Sequence, residues 1–245
     1  MRLDPRDPRL DRWATATGIF FVFFAILAYL LAPGVPQADD SDAEVLDWFV
    51  DNDTAVLWQV FLFGVATIFF LWFFGVLAGR LRRAEAGPGG RLPFVIVASA
   101  GASAGLYMLG IACFGTVARM APDTSRTLFE LGNMVFTVNE FVALVLVAAV
   151  SLGVLRTGLL AEWLAWAGGV FVVLALVDAA GRTIGNSDAF GAGGVFGSLT
   201  FLAFLAWTLA TSVLLWQATP VEPVTVVQEP GPEPAPEPEP PADQA

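Results

Sequence analysis

Six apolar runs, each about as long as the 20 residues with which a helix crosses the hydrocarbon layer of a membrane, occupy most of this chain. Lipid offers no partners to backbone amides, so runs of this length must close their hydrogen bonds internally, as helices. The runs fall at 14–32, 55–78, 93–118, 128–155, 159–180 and 195–216. The expected fold is therefore all-α: a bundle of six transmembrane helices over 14–216, with a cytoplasmic arm over 1–13 before it and a tail over 217–245 after it. Arg2, Arg6, Arg9 and Arg12 ahead of the first run would also suit a signal peptide. Its apolar part is longer than an h-region, however, and the best cleavage candidate, Pro36-Gln37-Ala38, puts Pro where a small side chain is wanted, so a retained helix is expected.

All 12 basic residues are Arg, and the chain has no His. That removes His-ligated metals and haem, a His base for a serine or cysteine nucleophile, and any Lys-dependent nucleophile or phosphate loop. No cofactor is expected. The net charge of −11 says little about partners, because 11 of the 23 acidic residues lie in two short stretches, 39–47 and 222–243. No basic footprint for nucleic acid is present. Cys113 is single and sits inside an apolar run, where it reads as a small hydrophobe.

The arginines also set an orientation. With the N-terminus inside, the cytoplasmic segments hold Arg2, Arg6, Arg9, Arg12, Arg80, Arg82, Arg83, Arg91 and Arg156, and the other side holds Arg119, Arg126 and Arg182. The positive-inside rule then places both termini in the cytoplasm of a multi-pass plasma-membrane protein. Trp13, Trp163, Trp166 and Trp216 fall near the inner interface and Trp58 near the outer one, as interfacial anchors do. In the first outer loop, Ser41-Asp42-Ala43-Glu44 is a capping box ahead of Val45, Leu46, Trp48, Phe49 and Val50, which predicts a short interfacial helix. Past Gln217 the Glu-Pro alternation predicts a disordered, polyproline-like tail.

Chemistry concentrates in the fourth span. Glu130, Asn133, Thr137 and Glu140 share one helix face, with Glu130 near the outer interface and Glu140 about 15 Å further along the axis, near mid-membrane. A carboxylate at that depth must be neutral, paired or in a wet cavity. Candidate partners are Tyr107 on the third span, Thr200 or Thr208 on the sixth, or an Arg reaching inward. Such a residue is either a functional site or a hydrogen-bonded tie between helices. Asp178 and Arg182, one turn apart, make an i,i+4 pair and, with Arg119, candidates for the mouth of the cavity. Gly101 and Gly105 form a GxxxG step in the third span, for close packing inside the bundle or across a dimer. The glycine-rich run 191–197 misses a nucleotide-binding spacing and reads as a loop.

The order of parts resembles a family of bacterial six-span integral membrane proteins known as a domain of unknown function. It rests on a short arm, a first span, an outer loop ending in 42–53 with Val45, Leu46 and Trp48, and an aromatic second span closed by Arg80-Leu81-Arg82-Arg83. The resemblance covers 15–216 and implies the architecture, with no catalytic residue to carry over. The polar face of the fourth span, and not the resemblance, leads to the expected function: a small-solute or proton-coupled transporter with an outward-facing polar cavity. The alternative is a non-catalytic accessory or assembly protein that binds another membrane protein. The expected partners are the lipid bilayer and either a small solute or a membrane protein.

Overall fold

A computed structural model describes residues 8–36, 40–85, 90–119, 125–184, 189–190 and 194–218. The first residues of the arm, the Glu/Pro-rich tail and the start of the glycine-rich run lie outside the described residues. Seven helices follow in order: α1 (Pro8–Leu31), α2 (Asp42–Asp51), α3 (Asp53–Ala84), α4 (Leu92–Val117), α5 (Ser125–Thr157), α6 (Glu162–Ile184) and α7 (Val195–Gln217). All except α2 are long and apolar enough to cross a membrane.

Local chemistry sets the ends. Pro8 opens α1, where its missing amide donor costs nothing. Arg80, Arg82 and Arg83 are good helix formers at the negative end of a helix, so α3 runs on to Ala84, past the expected end of its apolar run. Gly158 takes φ +62°, and its N–H bonds the Val154 carbonyl at 2.9 Å, which stops α5. Glu162 then starts α6, three residues later than hydropathy alone suggests.

The six long helices form a closed ring. Each packs on the next long helix in the chain, and α7 returns to α1. At the end that holds the termini the ring is filled solid by Phe73, Phe74, Leu77, Ile96, Leu146, Val150, Leu164 and Leu215, all fully buried. The α1–α7 seam closes tightly there: Gly18 lies against Ser212 and Phe73, and Ser212 Oγ donates to the Thr15 carbonyl at 2.6 Å. Trp13 and Trp216 meet edge to face at 5.8 Å, with the Arg12 guanidinium 4.6 Å over Trp216. Large apolar side chains such as Ile68, Trp72, Phe94, Trp166 and Val170 face outward all round the ring, as suits a surface solvated by lipid.

Gly101 and Gly105 do not pack inside the bundle. Both are exposed, and a Cβ on either would meet nothing within 4 Å. Helical spacing allowed this face of α4 to point inward, but the inward face is taken by Ile96, Ala100, Ala104 and Ile111. The close approaches occur instead at Gly18, Gly110, Gly115, Gly132 and Gly168, each against a side chain of a neighbouring helix.

Candidate functional site

Midway along the ring the packing opens. Residues from all six long helices line a cavity of about 210 Å³ on the axis, in the half nearer α2. Its wall is mainly apolar and rich in aromatic rings, where the sequence suggested a polar lining. Ten of the lining residues are Phe or Tyr, and the polar ones include Gln59, Ser103, Asn139, Glu140, Arg182, Ser198 and Thr200.

Five of the rings form a connected belt. Phe136 of α5 lies 5.3 Å from Tyr107 of α4, and Tyr107 lies 5.2 Å from Phe63 of α3. Phe63 reaches Phe201 of α7 at 6.4 Å, and Phe201 lies 5.3 Å from Tyr29 of α1. These centroid distances are those at which aromatic quadrupoles attract edge to face or offset. Tyr29 Oη donates to Ser198 Oγ at 3.0 Å, and Gln59 Nε2 to the Ala28 carbonyl at 3.2 Å, so two of the polar side chains also tie helices together.

The sixth helix, α6, contributes charge. Arg182 Nη2 is 2.8 Å from Glu140 Oε1 on α5 and 2.8 Å from Asp178 Oδ2 one turn back on α6. Side-chain exposure is 11% for Arg182, 14% for Glu140 and 0% for Asp178, so the cluster is removed from bulk solvent. Glu140 and Arg182 line the cavity, and Asp178 does not. Glu140 Oε2, Asp178 Oδ1 and Arg182 Nε have no hydrogen-bond partner among the described residues. The cluster carries one more carboxylate than guanidinium.

Of the residues picked from the sequence, the structure brings Glu140, Tyr107, Arg182 and Thr200 to the cavity. Arg182 is the Arg that reaches inward to Glu140. Asp178 stands behind it, buried, instead of at a wet mouth. Arg119 is exposed beyond the end of α4 and does not line the cavity. Glu130 is exposed and paired with Arg126 at 2.8 Å. Asn133 is half-buried, and Thr137 is buried with its hydroxyl donating to the Asn133 carbonyl at 3.0 Å; neither lines the cavity. The reason is rotation. The cavity side of α5 is Phe136, Asn139, Glu140 and Ala143, centred about 90° from the polar stripe at 100° per residue, and Glu140 is the one position the two share. The aromatic belt has no counterpart in the sequence pattern, because each helix supplies a single ring to it. Gln59, a lone amide in an apolar run, was the one visible signal on α3.

Helix α2 lies against the α3, α4 and α5 ends on the cavity side. Val45 and Phe49 are buried, and Phe49 is wedged against Phe114 at 5.8 Å and Phe129 at 6.0 Å. Trp48 is half-buried and packs edge to face on Phe49. Both arms of the capping box are present: the Glu44 N–H donates to Ser41 Oγ, and the Ser41 N–H donates to Glu44 Oε2 at 2.9 Å. The Ser41 hydroxyl, at 2.7 Å, and then its N–H hold the Glu44 carboxyl below the usual range. Arg126 bonds the Asp40 carbonyl at 2.8 Å, pinning the start of this segment to α5.

Comparisons with known protein families, curated proteins and solved structures found no match.

Proposed function

We propose that this chain is a multi-pass membrane carrier, of the bacterial six-span type it resembles, that takes a small solute into the axial cavity and couples its movement to the charge state of the Arg182–Glu140–Asp178 cluster. The observation that carries this reading is the position of the cluster, in the wall of a cavity at the centre of a ring of apolar helices. Ionisable groups at that depth are expensive and mark ligand or ion pathways. A purely structural tie would give the guanidinium an acceptor at every donor, yet Arg182 Nε has none among the described residues. The cluster is neutral only when one carboxyl holds a proton, which gives proton coupling a place to act. With both termini in the cytoplasm, the α2 end faces outward and the cavity loads from outside.

A second reading is an accessory protein that binds another membrane protein. The exposed Gly101 and Gly105 favour it, since small residues on a lipid-facing helix let a partner helix come close.

The deciding experiment places a cysteine at Ala143 in a Cys113→Ala background, with Ala149→Cys in the packed core as control. A membrane-impermeant thiosulfonate is applied to intact cells and to inverted vesicles. The carrier reading expects modification of the cavity cysteine from outside, some from the inside as the site alternates, and none at position 149. A cavity cysteine modified from neither side sinks it.

A further inference from the structure

Resting on the carrier reading, we infer that the cavity takes a small hydrophobic organic cation of single charge, one aromatic or aliphatic body bearing a substituted ammonium. Charge count is the first argument. Among the described residues Arg182 is the only basic one lining the cavity, and it is shared by two carboxylates. The cluster is therefore neutral only with one proton or one bound cation, in a place where an uncompensated charge is costly.

Placement is the second. Asp178 is fully buried and does not line the cavity. Of the two carboxylates only Glu140 meets the cavity, and its Oε2 has no hydrogen-bond donor among the described residues. Arg182 Nε, also without a partner there, is the donor an anion would use. A third negative group beside a guanidinium already bound to two carboxylates would be repelled, and a cation there is attracted.

The third argument is the rest of the wall. Phe63, Tyr107, Phe136 and Phe201 come from four different helices and line the same cavity as Glu140. Ring faces attract weakly hydrated cations, and aromatic walls are how proteins hold quaternary ammonium groups. A neutral apolar ligand would fit the rings but give the buried charges nothing to do. The volume, about 210 Å³, lies below the range for drug-sized ligands and suits a single ring with a small charged head.

The test uses the full chain carrying Ala143→Cys and Cys113→Ala, purified in mild detergent. The rate of thiol modification is read with three probes of similar shape: benzyltrimethylammonium, its uncharged carbon isostere neopentylbenzene, and the anion phenylacetate. The expected result is that the cation alone slows modification, about tenfold at saturation, and that Glu140→Gln removes the protection while the protein keeps its elution profile. Should that variant fail to fold, Phe63→Leu serves in its place and is expected to weaken protection by the cation. Equal protection by the neutral isostere, protection by phenylacetate, or modification that no probe slows would overturn the cation assignment while leaving the cavity in place. A cysteine that is never modified would instead overturn the carrier reading beneath it.

Discussion

Arg182 of α6 binds Glu140 of α5 through the same nitrogen that binds Asp178 one turn back on its own helix, at 2.8 Å in each case. An i,i+4 pair is normally a surface detail worth a few tenths of a kcal/mol. Here the third member changes its nature: the pair is buried, joins two helices, and leaves the cluster one proton or one cation short of neutrality.

Removing the guanidinium strands two buried carboxylates. Arg182→Met should lower stability by about 3–5 kcal/mol, as when one partner of a buried ion pair is lost. Glu140→Leu leaves the Asp178–Arg182 pair intact and balanced, so its stability should match or exceed that of the parent. Thermal unfolding of both variants in one mild detergent checks the order, and the reverse order would mean that Glu140 is the structural partner.

The glycines divide into two groups. A Cβ at Gly18 would sit 2.7 Å from Ser212 Cβ and 2.9 Å from Phe73 Cδ2, so Gly18→Ala should cost about 1–3 kcal/mol. Gly101→Ala and Gly105→Ala meet nothing within 4 Å and should stay within about 0.5 kcal/mol of the parent in detergent. A large loss at 101 or 105 would point to a helix packed on that face.

Phe49 is the wedge that holds α2 down. Phe49→Ala empties the space between Phe114 and Phe129 and should destabilise this end of the bundle by on the order of 3 kcal/mol. Faster amide exchange in α2, with the interior of α3 unchanged, is the expected signature. Uniformly faster exchange would show that α2 unfolds only with the whole bundle.

The capping box makes α2 sensitive to acid. Glu44 has a depressed carboxyl pKa in the folded chain, so its stabilising contribution is present above its ordinary value of 4.5 and is lost as pH falls through the folded value. Exchange protection of the first turn of α2, corrected for intrinsic rates, should hold from pH 7 to pH 5 and fall below that range. Ser41→Ala should weaken it at every pH and remove the acid step, and an acid step that survives Ser41→Ala would assign it elsewhere.

Run length made the six long helices legible, because membrane thickness imposes it, and Ser41-x-x-Glu44 made the start of α2 legible, because a cap is local chemistry. Glu140 stood out for a similar reason: a lone carboxylate in an apolar run is conspicuous by its cost. Rotation was not legible. Which side of α5 meets the axis depends on how α4 and α6 lean against it, and that choice left Asn133 and Thr137 outside the cavity. Pairing across 42 positions, from Glu140 to Arg182, is set by the order of helices round the ring. The belt is harder still, since Phe63 and Phe201 look like any of the 21 phenylalanines in the chain until the ring closes.

That closure joins the two ends of the chain. Of the seven helices α7 emerges last, yet it must lie beside α1, which emerges first. Until it arrives, the earlier helices make an arc with α1 and α6 as loose edges, and neither the Tyr29–Ser198 bond nor the Ser212–Thr15 bond exists. Lipid fills the gap in the meantime. The cavity is thus assembled in a single late step, and a nascent chain halted before residue 195 would carry its charged cluster on an open flank instead of at the centre of a finished vessel.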